Sequence, residues 1–118
     1  MKSRRYVPRE TQIQGAILEA LYLDRRVVWV ARMNTGAARY VDERGKKRIV
    51  KFGFPGCPDI LGQLQGGKLL ALEVKTSSGK VTAYQQQFID KALAGGACAG
   101  IVRNIDQALE LVRLWTME

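Results

Sequence analysis

Asp59, Glu73 and Lys75 are the residues of this chain best suited to chemistry, because two short apolar runs would carry them to one place. Asp59 opens Ile60-Leu61-Gly62-Gln63-Leu64, which reads as a buried strand. Gly66-Gly67 then marks a turn, and Leu69-Leu70-Ala71-Leu72-Glu73-Val74-Lys75 reads as a second strand, hairpinned to the first. Side chains alternate along a strand, so Glu73 and Lys75 share one face while Leu72 and Val74 take the other. An acid and a lysine at the end of an otherwise apolar strand are costly to bury without partners. Asp59, at the mouth of the neighbouring strand, reaches the same point. Two carboxylates and an ammonium converging there suit a hard divalent cation such as magnesium, with a group that steadies an attacking water. A salt bridge at a strand end is the plain structural alternative.

The elements around this pair must position it. Pro8 suits the first turn of a helix, and Ile13, Ala16, Ile17, Ala20 and Leu21 follow at helical spacing as its core face. Glu10 and Gln14 lie three residues before Ile13 and Ile17 and share that face. Glu10 either interacts with the helix dipole or supplies a third carboxylate to the cation. Asp24-Arg25-Arg26 ends the helix, and Val27-Val28-Trp29-Val30-Ala31 is a strand by its branched and aromatic content. Asn34-Thr35-Gly36 is a polar turn leading into a hairpin with a charged tip, whose Lys46, Lys47, Arg48 and Lys51 are candidate phosphate contacts. The turn-rich stretch Gly53-Phe54-Pro55-Gly56-Cys57-Pro58 delivers the chain to Asp59.

Beyond Lys75, Thr76-Ser77-Ser78-Gly79-Lys80 forms a loop and Thr82 caps a helix on which Gln85, Phe88, Ile89 and Ala92 share one face. That helix stops at Gly95-Gly96. Ala97 to Val102 is a short strand, and Asp106 starts a last helix with Ile105, Ala108, Leu109, Val112 and Trp115 as its buried stripe. The expected fold is α/β, a mixed central sheet flanked by helices, with the strand near residue 100 parallel to the one bearing Glu73.

With 118 residues, 47% of them hydrophobic and 25% charged, the chain reads as one domain spanning 1–118. It contains no histidine, which removes catalytic triads and histidine-metal sites from consideration. Cys57 and Cys98 make no metal-ligand spacing and read as reduced buried thiols. No apolar run is long enough to span a membrane, and the basic start Met1-Lys2-Ser3-Arg4-Arg5 leads into no signal core, so a cytoplasmic location is expected. The net charge of +8 is one-sided: residues 1–51 hold 13 of the 19 basic and 5 of the 11 acidic residues, whereas residues 52–118 hold 6 of each. A basic half beside an acidic site is what a binder of phosphate backbones needs.

Pro58-Asp59 followed after thirteen residues by Glu73-x-Lys75 resembles the PD-(D/E)xK nuclease motif. Taken in order with Glu10-x-x-Ile13-Gln14, Asn34-Thr35-Gly36, Gly56-x-Pro58-Asp59-Ile60-Leu61-Gly62, Gly79-Lys80, Gln85-x-x-Phe88 and Gly95-Gly96, it resembles the VRR-NUC family, the virus-type replication and repair nucleases, over roughly residues 8–103. The resemblance implies a restriction-endonuclease-like core and a magnesium-dependent, structure-selective DNA endonuclease, with manganese as an alternative ion. It implies Glu10, Asp59 and Glu73 as metal ligands beside the backbone carbonyl of Val74, and Lys75 as the residue that orients water. Gln85 would support Lys75 or a phosphate. Arg4, Arg5, Arg9, Asn34, Lys46, Lys47, Arg48, Lys51 and Lys80 are the nucleic-acid contacts expected with it. The expected partner is branched DNA such as a four-way junction, cut by a homodimer. Val50, Phe52 and Phe54 either form the dimer interface or fill the core beneath the hairpin. A nucleic-acid-binding module with a vestigial site and a restriction-type endonuclease are the competing readings.

Overall fold

A computed structural model describes residues 8–33 and 36–117. The elements run α1 (Glu10–Tyr22), β1 (Val27–Arg32), β2 (Gly36–Val41), β3 (Lys47–Phe52), β4 (Ile60–Leu64), β5 (Leu69–Val74), α2 (Ala83–Ala94), β6 (Cys98–Val102) and α3 (Ile105–Trp115). Four strands form a mixed sheet in the order β1-β4-β5-β6, antiparallel except for the parallel β5–β6 pair. The expected parallel pairing around residue 100 is present, with Leu72 opposite Gly100 and Val74 opposite Val102. The β2–β3 hairpin forms a sheet of its own.

The sheet has two apolar faces because its inner strand β5 is buried on both sides. Ile60, Leu64, Leu70, Leu72, Val74 and Val102 meet Ile17 and Leu21 of α1 and Ala108 and Val112 of α3. On the opposite face Ala71, Ala97 and Ala99 meet Ile89 of α2, with Leu61 and Phe88 beside them. Small side chains on that second face let α2 lie close to the strands. In β1 the register shifts between Val27 and Trp29. The extra residue lets both Val27 and Val30 reach the first core, an odd spacing that regular alternation forbids.

Several boundaries differ from the expectation. Pro8 lies before α1, whose N-cap is Arg9; the Arg9 amide donates to the Gln12 side chain at 2.9 Å. Ala16 is exposed, so the core stripe of α1 is narrower than its spacing suggests. The last helix starts one residue before Asp106 and is capped by Asn104, whose side chain accepts from the Gln107 amide at 2.8 Å. Ile105 is then the first helical residue, at the rim, and stays 37% exposed. Thr82 caps α2 as expected. Cys57 and Cys98 are both buried and unpaired. No helix among the described residues is long and apolar enough to cross a membrane.

Gly56 ties the loop before Asp59 to α2. It has φ +80°, and a Cβ there would lie 2.2 Å from the Tyr84 carbonyl oxygen. Gly56→Ala therefore meets both a left-handed backbone and a backbone clash. Its expected cost is about 2–4 kcal/mol, read as a lower denaturant midpoint with an unchanged slope. An unshifted midpoint would show that the loop is free to move off α2.

Candidate metal centre

The ends of β4 and β5 and the start of α1 bring three carboxylates together. Glu10, Asp59 and Glu73 each offer an oxygen, and all three oxygens lie within 4.8 Å of one another. Each arrives for a local reason. Antiparallel pairing sets Ile60 opposite Leu72, so Asp59, one residue earlier, falls beside the end of β5. The Val74 amide donates to Asp59 Oδ2 at 2.8 Å and fixes that carboxylate. Strand alternation turns Glu73 to the α2 side with Ala71, away from Leu72 and Val74. Glu10 comes from the first turn of α1.

Glu73 is the unusual member. It is 1% exposed, and its Oε2 is buried without a hydrogen-bond partner. Its other oxygen accepts from Gln85 Nε2 at 3.1 Å. Burial first, and then the neighbouring Asp59 carboxyl, push the Glu73 carboxyl up to about 9; Lys75 opposes this and Glu10 adds to it. Two ionised carboxylates cannot hydrogen-bond, so without a cation a proton held between Asp59 and Glu73 is the way to relieve the crowding. A divalent cation relieves the same crowding and gives the orphaned oxygen a partner.

The donor set also indicates the kind of ion. It is all oxygen, which suits magnesium or manganese rather than a thiophilic metal. Burial raises the Cys57 thiol, and the nearby Glu73 and Asp59 charges raise it further, so it stays protonated. Val74 contributes its backbone at this point: its amide holds Asp59, and its carbonyl belongs to the peptide that joins it to Lys75. Lys75 is 9% exposed, and its own amide donates to the Val102 carbonyl at 3.0 Å.

Gln85, which the resemblance implied would support Lys75 or a phosphate, meets Glu73 in this structure. Its Oε1 accepts from the Thr82 amide at 2.9 Å, closing the cap of α2, and this turns its Nε2 toward Glu73. The adjacent Gln86 is committed to Asp90 at 2.9 Å, which separates the two glutamines by role.

Arg103 is a supporting residue that the sequence reading passed over. It follows β6 directly, and its Nη1 donates to the carbonyls of Thr76 at 2.5 Å and Gly79 at 2.9 Å. It thereby pins the loop that leaves Lys75. The signal was available: a parallel β5–β6 pair that aligns Val74 with Val102 places Arg103 beside Lys75.

The expected nucleic-acid contacts do not all gather here. Arg4, Arg5 and Asn34 lie outside the described residues, as does the side chain of Lys51. Arg9, next to Glu10, and Lys80, in the loop after Lys75, are exposed near the carboxylates in sequence. Lys46, Lys47 and Arg48 are exposed on the separate hairpin. Arg48 is already paired there, with its Nε donating to Asp42 Oδ2 at 2.9 Å. Val50 and Phe54 are 38% and 47% exposed, so neither fills a core beneath the hairpin; the Phe54 ring instead packs on Phe88 of α2 at 5.3 Å. Phe52's side chain is outside the described residues. No protein-family model matches this chain, and no curated protein matches it either.

Proposed function

We propose that the chain is a metal-dependent, structure-selective DNA endonuclease of the VRR-NUC kind, built on a restriction-endonuclease-like PD-(D/E)xK core. The observation that carries this is the convergence of Glu10, Asp59 and Glu73 from three separate elements, with one buried oxygen lacking a partner. Glu10, Asp59 and Glu73 would hold magnesium or manganese, with the Val74 carbonyl as a further oxygen. When bound, such an ion supplies Lewis-acid stabilisation to a phosphodiester and acidifies water.

The protein's own residues do the rest. Gln85 holds one Glu73 oxygen, leaving the other buried without a partner. The Val74 amide fixes Asp59 in the same way. Lys75 supplies a compact positive charge that orients the attacking water and offsets negative charge growing on the phosphate. Arg103 keeps the following loop, and so Lys75, in place. Branched DNA cut by a homodimer is the form of this proposal that matches a small domain with an uneven basic surface.

The test is cleavage of flap, splayed, nicked and four-way DNA with magnesium, with manganese or with chelator, alongside Lys75→Ala. Expected is metal-dependent cutting of branched substrates that falls by about 10²–10⁴-fold in the variant. Binding without cutting under every condition would leave a nucleic-acid-binding module with a vestigial site. Light scattering of the same sample reads the dimer, and a monomer that nicks one strand only would refute that part.

A further inference from the structure

The β2–β3 hairpin is built like a tool without a workpiece. Among the described residues its strands contact the other helices and strands only sparsely. A two-stranded ribbon on its own is marginal in water, and this one still exposes apolar residues: Val41 is 65% and Ile49 61% exposed. Its tip is nevertheless well defined. Asp42 accepts from the Arg44 and Lys46 amides at 2.9 Å each, and the Asp42 amide donates to the Lys46 carbonyl at 3.0 Å.

The register separates the two faces. Arg39 stands opposite Ile49 and Val41 opposite Lys47, so alternation sets these four on one face. Tyr40 opposite Arg48 belongs to the other face, where Arg48 is held by Asp42. Among the described residues Arg39 and Lys47 form no ion pair, and both are exposed. The first face therefore presents a checkerboard of free cations and branched aliphatics.

We infer that this face enters the major groove of duplex DNA. The inference rests on the nuclease reading for the kind of ligand and extends it by assigning the surface and the features recognised. Residues 39–51 carry six Lys and Arg against two Asp and Glu, which complements a polyanion. The same charge opposes pairing with a second copy, since face-to-face ribbons would bring Arg39 and Lys47 of both copies together. An antiparallel ribbon fits the major groove of B-form DNA, whereas the deep, narrow major groove of duplex RNA excludes it. Within the groove Arg39 and Lys47 reach phosphates or guanine edges, and Val41 and Ile49 meet the methyl groups of thymine.

The experiment measures binding of the full chain, without divalent metal, to a two-turn DNA duplex, to the same duplex with uracil replacing thymine, and to the RNA counterpart. The wild type should prefer thymine-containing DNA over both. Arg39→Ala with Lys47→Ala should weaken DNA binding by about ten- to a hundredfold and flatten the dependence of log affinity on log salt by up to about two units. Val41→Ser with Ile49→Ser should leave the salt slope alone and erase the preference for thymine over uracil. Tyr40→Ser, on the opposite face, should change neither. Unaltered DNA affinity in both double variants would overturn the inference. So would a change of oligomeric state by light scattering in place of a change in binding, which would make the ribbon a self-association surface. Because no cleavage is involved, loss of ribbon-dependent binding and loss of nuclease activity are separately visible.

Discussion

Glu73→Gln is expected to abolish cleavage, by about a thousandfold or more, while making the metal-free protein more stable above neutral pH. The two effects share one cause. Folding buries the Glu73 carboxyl beside Asp59 and raises it from 4.5 to about 9. A group that binds its proton more tightly in the folded state stabilises the fold fully below its unfolded value. That contribution is lost as pH rises through the folded value. Here the window runs from about 4.5 to about 9, and across it the wild type should lose stability steadily. The glutamine variant has nothing to titrate at this position, so its stability should stay flatter. It also keeps an oxygen for Gln85 and gains an N–H that can donate to Asp59. Near pH 5 the two proteins should unfold alike; by pH 8 the variant should lead by on the order of a few kcal/mol. Chemical denaturation in chelator at both pH values, with circular dichroism as the readout, measures this. A variant that is less stable than wild type at pH 8 would mean that Glu73 is held ionised by a partner other than a cation.

Cation affinity should rise with pH for the same reason. Binding requires the Glu73 proton to leave, so affinity should climb by up to about tenfold per pH unit below the raised value and level off near it. Calorimetry at pH 7 in buffers of different ionisation enthalpy should find close to one proton released per ion bound. Glu73→Gln should bind the ion far more weakly and with no proton release. Affinity that is flat between pH 6 and 9 would place the ion elsewhere.

Much of this centre could be read from the chain because its parts are local. Asp59 and Glu73 are brought together by a tight hairpin, and a hairpin is legible from two apolar runs and a Gly66-Gly67 turn. Glu10 needed only helical phase to be placed on the inward face, although phase left two roles open for it. What escaped depends on how elements lie across one another. The bond from Gln85 to Glu73 could not be read until the α2 face was set against β5. The core stripe of α1 is narrower than its spacing suggests, because periodicity cannot tell that Ala16 stays exposed. Periodicity likewise treated the hairpin as one more part of the fold, whereas β2 and β3 pair only with each other. Part of the clue lay in the composition of one face, where Arg39 and Lys47 stand beside Val41 and Ile49, a mixture unsuited to a core.

The double engagement of Gln85 has an evolutionary consequence. One side chain closes the cap of α2 through its oxygen and steadies Glu73 through its nitrogen. Asparagine is a methylene too short to span both. Glutamate would serve the cap and the helix dipole at least as well, but it has no N–H to offer an ionised Glu73. On the proposed nuclease function, position 85 is therefore closed to stepwise change, whereas Gln87 nearby is exposed and has no such double engagement among the described residues. In a lineage that no longer cuts DNA the constraint reverses. A protonated Glu73 can donate to a new carboxylate, and Gln85→Glu then becomes a single-step route to a firmer helix. A glutamate at this position, in a chain that still carries the other carboxylates, would mark a retired enzyme.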